Sequence, residues 1–306
     1  MADNILPNFM IIGPPKTAST SLHYYLSQHP DICMSEPKET RYMDNQYKQD
    51  LVGYSTYFAH AKNQKAIGDG TPTYSFLPFV AERIQKHFPD IKLIICFRDP
   101  VDRAFSGWLM RCAKGNEKNS FQEALRLNME QRKKHTLLGD EGINFWMEDQ
   151  NALGDKNQIL CRTYVEGSMY AEQMEYYLKR FKPEQIHYLF MEDLRNNLIP
   201  SLQKIFAFLS VDEKFNDIRT EEVNKHKKVR LKFLFNLFGK DKVKNVKKFL
   251  PAPLANLLKP ILRTEVKKPE ISDEDKKFAW QIFKDDVAKL EQIIGKNLDH
   301  WRKKYE

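Results

Sequence analysis

The stretch IIGPPKTASTSLHYYL, Ile11 to Leu26, decides how the rest of the chain is read. Its two isoleucines close the short apolar run NFMIIG, Asn8 to Gly13, which predicts a buried strand ended by the Gly-Pro-Pro turn. Leu22, Tyr25 and Leu26 follow at helical spacing, and His29-Pro30 ends that helix. A strand, a tight turn and a helix N-terminus make an anion site, because the first backbone N–H groups of a helix have no partner within it. Thr17, Ala18, Ser19, Thr20 and Ser21 are small enough to let a phosphate approach the main chain, and their hydroxyls add donors. Lys16 brings a mobile positive charge to the same place. The loop is not the usual triphosphate loop, G-x-x-x-x-G-K-[ST]: its lysine comes early and no glycine precedes it.

Beyond this unit, strand and helix signals alternate. IKLIICF, Ile91 to Phe97, reads as the clearest buried strand, and Pro100 after it suits a helix start. FVAERIQKHFPD reads as a helix with a proline stop. Helices are predicted over Ser168–Arg180 and EDLRNNLIPSLQKIFAFLS, and a further strand over Gln185–Met191. The last helix opens with acids and closes with bases, matching the helix dipole, with apolar residues at Phe278, Ile282, Val287, Leu290 and Ile293 or Ile294. The alternation predicts an α/β three-layer sandwich around a central parallel sheet, with a ligand at the carboxyl ends of the strands.

The chain has 306 residues, 42% hydrophobic and 29% charged, and is read as one globular domain over 1–306. No stretch approaches the roughly 20 apolar residues of a membrane span. The acidic start and lack of a secretory signal predict a cytoplasmic protein. Cys33, Cys96, Cys112 and Cys161 show no C-x-x-C pair and no metal spacing, so isolated reduced thiols are expected, with Cys96 in a buried strand. The net charge of +8 favours anionic ligands without choosing among them. Much of it lies in Asn224–Leu250, read as part of a basic helical lid over about 224–270; contact with a membrane surface is the less favoured reading.

The second motif is CFRDPVDRAFSGW. Arg98 stands just past the strongest strand and Ser106 eight residues on, so the pair can clamp a second phosphate if both strands open on one crevice. The alternative is Arg98 paired with Asp99 or Asp102 in a structural turn. The combination of P-K-T-A-S-T-S-L with F-R-D-P-V-D-R-A-F-S-G-W, about 80 residues apart, resembles the sulfotransferases that use 3′-phosphoadenosine 5′-phosphosulfate (PAPS). The resemblance implies that the Lys16 loop, with Thr17 to Ser21, holds the 5′-phosphosulfate and that Arg98 and Ser106 hold the 3′-phosphate. Ala18 stands where many relatives have glycine.

SEPKETRYMDN resembles the Lys-Glu-x-x-aromatic segment of the branch containing heparan sulfate sulfotransferases and bacterial relatives. That implies Glu39 as the general base with Lys38 beside it. Arg41 and Tyr42-Met43 depart from the branch's commoner His and Phe-Phe. DGTPTYSF resembles the branch's Ser/Thr-Pro-x-Tyr segment, but Gly70 stands where those saccharide enzymes often have lysine, which points away from a polyanionic acceptor. VNKHKKV resembles the loop that closes over the nucleotide, which would put Lys227 and Lys228, with Asn224, near the 3′-phosphate. No metal is required for sulfuryl transfer.

The expected reaction is sulfuryl transfer from PAPS to a hydroxyl or amine of a small-molecule acceptor, releasing 3′,5′-adenosine bisphosphate (PAP). A saccharide O- or N-sulfotransferase is one alternative, and a P-loop kinase using Mg-ATP is another, although the strand end at Asp99 is a poor metal setting. A nucleic-acid partner has no RRM, helix-turn-helix or zinc-finger pattern to support it. His23 and His29 are alternative bases, though the favoured readings are a helix-surface residue for His23 and a cap for His29. Asp44 and Asp69 are candidate acceptor-orienting acids. Tyr42, Tyr47, Tyr54, Tyr57, Tyr74 and Trp146 are candidate walls of the acceptor pocket, which is expected to draw on Arg41–Tyr57, Asp69–Phe76, Leu109–Trp146 and the basic region after Asn224.

Overall fold

The computed structural model describes residues 5–152, 162–220 and 269–306. Five short strands carry the architecture: β1 (Phe9–Ile11), β2 (Ile32–Met34), β3 (Ala66–Asp69), β4 (Lys92–Phe97) and β5 (Ile186–Phe190). They pair in parallel in the order β2-β3-β1-β4-β5. Every residue of β1, β2 and β3 is buried, as a parallel sheet covered on both faces requires. Side chains alternate between two apolar layers. Met10, Leu93, Ile95 and Phe97 enter the larger one, and Phe9, Ile11, Ile94 and Cys96 the smaller. The α/β three-layer sandwich expected from the alternation is therefore present.

The connections contain α1 (Ser19–Leu26), α2 (Tyr42–Asn45), α3 (Val52–Ser55), α4 (Pro78–His87), α5 (Pro100–Lys114), α6 (Phe121–Lys134), α7 (Gly139–Ala152), α8 (Tyr170–Leu178), α9 (Met191–Asn196), α10 (Leu198–Leu209), α11 (Asp273–Ile294) and α12 (Asp299–Arg302). Helices α1 and α10 bury Leu22, Leu26, Leu202, Ile205 and Phe206 in the smaller layer. Helices α4, α5, α8 and α11 pack into the larger one through residues such as Val80, Ala104, Met174 and Phe283.

Four details differ from expectation. Strands β2 (ICM) and β3 (AIGD) are too short for a periodic signal and exist because their neighbours pair with them. The helix expected from Ser168 begins at Tyr170, after a 3₁₀ turn over Glu166–Ser168. The helix across Pro200 is two helices broken at Asn197; Pro200 falls in the first turn of α10, where its missing N–H costs nothing. Helix α11 buries Ala279, Trp280, Phe283, Val287 and Leu290, whereas Phe278 and Ile282 are only partly covered. Its inward stripe thus keeps Val287 and Leu290 as expected and takes Trp280 and Phe283 in place of Phe278 and Ile282 in the first half of the helix. Cys33, Cys96 and Cys112 are free thiols. Cys161, Asn224, Lys227, Lys228 and the basic segment 224–250 lie outside the described residues.

Candidate active site

The Gly13–Ala18 turn runs from β1 into α1 at the carboxyl edge of the sheet. Gly13 is required by proximity, since a Cβ there would lie 2.6 Å from the backbone nitrogen of Cys96. Two non-glycine residues of the turn are left-handed, Lys16 at φ 80° and Ala18 at φ 74°. Ala18 is the N-cap of α1 and, having no polar side chain, gives the first turn no cap. Thr17 is buried and its hydroxyl donates to the Pro14 carbonyl at 2.7 Å, bracing the turn from inside. The result is an uncapped helix N-terminus behind a bent loop, a shape that fits a phosphate.

The second motif meets this loop directly. Arg98 Nη1 donates to the Lys16 carbonyl at 3.1 Å. The structural-turn alternative for Arg98 does not form, because Asp99 is engaged elsewhere. Its carboxylate accepts from the Val101 and Asp102 backbone amides at 3.0 and 3.1 Å, capping α5. It also takes Lys304 Nζ at 2.9 Å and the Tyr305 hydroxyl at 2.7 Å. Lys304 reaches Asp102 as well, at 3.5 Å. Ser106 is half-buried on α5, two turns on from Arg98.

Arg103, which no sequence argument singled out, ties the site together. It is 2% exposed and donates to the Ser168 hydroxyl at 2.6 Å, to the Thr163 carbonyl at 3.3 Å and to the Tyr164 carbonyl. It reaches the Pro15 carbonyl of the anion loop at 3.5 Å. Burial lowers its pKa to about 10, so it stays charged at neutral pH. Gly167 makes room for it: a Cβ there would lie 2.5 Å from Arg103 Nη1. Its place in the F-R-D-P-V-D-R-A-F-S-G-W motif, near the start of a helix after a strand, was the available signal.

Lys38 and Glu39 follow β2 at the same edge. Lys38 Nζ pairs with Glu39 Oε1 at 2.8 Å, and the Glu39 side chain is 47% exposed, open to an incoming molecule. His23 of α1 faces this loop. A Cβ at Gly70, just past β3, would lie 3.0 Å from His23 Cδ2 and 3.5 Å from the Lys38 carbonyl oxygen. His23 is thus mostly buried, not a surface residue; burial, aided by the Lys38 charge, lowers its pKa to about 4, and its Nε2 has no partner among the described residues. His29 is buried too, between Phe206 and Phe215, with Nε2 3.0 Å from the Asp212 carbonyl and Nδ1 accepting from Asp31 N. Ser27, not His29, occupies the C-cap of α1.

The two candidate acids are structural. Asp69 is fully buried and accepts from the hydroxyls of Thr40, Tyr54, Thr71 and Tyr74 at 2.7 to 3.1 Å. Asp44 is 1% exposed, taken by Arg41 at 3.1 Å and Thr73 at 2.7 Å. Burial raises both carboxyl pKa values. Tyr42, Tyr54, Tyr74 and Trp146 are core residues rather than pocket walls, since the Tyr54 and Tyr74 hydroxyls serve Asp69 and the rings pack inward. Tyr47 and Tyr57 are only partly covered.

Residues 6–251 match the family described as the sulfotransferase domain, and the chain belongs to that family. It is 28% identical to the membrane-associated sulfotransferase kil1 of Dictyostelium discoideum, across 72% of this chain and 60% of that protein. It is 27% identical to mouse heparan sulfate glucosamine 3-O-sulfotransferase 5, across 67% of this chain and 54% of that protein. The chain therefore spans little more than half the length of these curated relatives. The fold is that of a sulfotransferase from Alicyclobacillus acidocaldarius, with a TM-score of 0.66 and 23% identity, covering 97% of this chain and 99% of the other. Among the described residues no helix is long and apolar enough to cross a membrane.

Proposed function

We propose that the chain transfers a sulfuryl group from PAPS to a hydroxyl or amine of a small-molecule acceptor. The observation that carries the reading is the 3.1 Å bond from Arg98 to the Lys16 carbonyl, which puts the two motifs of a bisphosphorylated nucleotide site side by side in a sulfotransferase-family chain. When bound, PAPS supplies an activated sulfuryl group whose bond to the 5′-phosphate breaks as the bond to the acceptor forms. The N–H groups at the start of α1 hold the 5′-phosphate, with Thr17 to Ser21 around it. Lys16 offsets the charge that grows on the departing phosphate oxygen. Arg98 and Ser106 hold the 3′-phosphate, with Lys227 and Lys228 as further cations. Glu39 takes the acceptor proton, with Lys38 Nζ 2.8 Å from its carboxylate. The heparan sulfate name of one relative favours a saccharide acceptor as the second reading.

Thermal unfolding with PAP, AMP and Mg-ATP tests this. A ligand at about 100 times its Kd stabilises by roughly 2.7 kcal/mol, so PAP is expected to raise the midpoint and AMP to raise it less. A shift with Mg-ATP alone would replace the reading with a kinase. Lys16→Ala is expected to abolish turnover.

A further inference from the structure

A cavity of about 190 Å³ opens between the starts of α4 and α8 and the end of α6. Phe76 and Pro78 form one wall, at the carboxyl end of β3. The opposite wall is Glu166, Met169 and Gln173, in or just after the segment that Arg103 ties to Pro15. Both walls are thus anchored at the edge of the sheet where Lys16 and Glu39 stand.

Gln173 is 4% exposed, and its Nε2 donates to the Glu166 carbonyl at 2.7 Å. That bond sets which way the amide faces. Its Oε1 is buried with no hydrogen-bond partner among the described residues. A buried acceptor without a donor is costly, and a ligand group that donates to it recovers that cost. The charges around it are also selective. Glu166 and Glu172 line the cavity with Arg132, which lies 3.6 Å from the first and 2.8 Å from the second. Two carboxyl groups against one guanidinium leave no unpaired arginine or lysine in the lining for an anion, His135 being its one other basic side chain, although the whole chain carries +8.

We propose that this cavity is the acceptor subsite, and that it takes a small molecule with an apolar body and an amine or hydroxyl donor, not an anionic sugar chain. The proposal rests on the sulfuryl-transfer reading for its role, but its chemistry can be tested by binding alone. Phe76 and Met169 cover the apolar body, and Gln173 Oε1 accepts from the donor. An anionic oligosaccharide would meet Glu166 and Glu172 without an unpaired arginine or lysine to receive it.

Titration calorimetry with four probes, with and without PAP, distinguishes the cases: tyramine, tyrosol, 4-hydroxyphenylacetate and a heparan sulfate hexasaccharide. Tyramine and tyrosol are expected to bind at least about tenfold more tightly than the two anions. Gln173→Leu is expected to weaken both by roughly tenfold. Glu172→Gln, at a half-exposed position, is expected to weaken tyramine more than tyrosol, with PAP binding unchanged in both variants. Equal or tighter binding of either anion, no loss in Gln173→Leu, or no binding of tyramine and tyrosol would overturn the proposal. Loss of PAP binding with tyramine binding intact would sink the transfer reading and support this cavity as a ligand site.

Discussion

Ala18 holds φ 74° at the N-cap of α1, where a Cβ in the left-handed region costs about 1–2 kcal/mol. Read as a residue type, alanine is a mild replacement for glycine; read with its dihedral, it is strained. Ala18→Gly is expected to stabilise the fold by about 1 kcal/mol, seen as a higher urea midpoint with unchanged slope. His23 makes a pH prediction. Its folded pKa of about 4 lies below the unfolded value of 6.5, so the unfolded chain takes up its proton first as pH falls. The neutral ring's contribution is complete above pH 6.5 and is lost towards pH 4, by up to roughly 3 kcal/mol. Urea melts of the wild type are expected to lose ground to His23→Phe across that window; parallel curves would show that the ring is not held neutral by the fold.

Helix α5 shows how an element is set by contacts far along the chain. Its cap, Asp99, was legible as an acid before Pro100, but its partners are Lys304 and Tyr305, some two hundred residues on. Asp99→Ala removes the cap, leaves the Tyr305 hydroxyl without its acceptor and leaves Lys304 only Asp102, and is expected to cost about 2–4 kcal/mol by denaturant melts. Tyr305→Phe, which leaves the cap and the Lys304 pair, is expected to cost about 1 kcal/mol. Because Asp99 adjoins Arg98, PAP affinity is expected to fall more in the first variant than in the second. A similar cross-chain cap joins α11 to α8, where Asp286 accepts from Ala171 N at 3.0 Å and Glu172 N at 3.2 Å.

At the scale of the whole molecule, Arg103 joins segments that lie far apart in the sequence. It bonds the anion loop, the 163–168 segment and α8's approach from within α5. Arg103→Ala removes the donor to the buried Tyr164 carbonyl and to the part-buried Thr163 and Pro15 carbonyls and is expected to destabilise by about 3 kcal/mol, with Gly167→Ala following in the same direction because it displaces the guanidinium. A variant of either kind that melts with the wild type would mean the segments are held by packing alone.

The layered α/β class, the strand-loop-helix unit at Ile11–Leu26 and the place of Arg98 were determined by the sequence itself, since apolar runs, Gly-Pro-Pro and helical spacing are local signals. Strands β2 and β3 were not legible, because three or four residues carry no period and depend on their neighbours. Nor could local sequence separate candidate from structural groups. Asp69 and the tyrosines around it look like pocket residues until the fold closes hydroxyls onto the carboxylate. Arg103, Gly167 and Gln173 become informative only when chain segments 60 or more residues apart converge, because burial and proximity are properties of the packed chain rather than of any stretch of it.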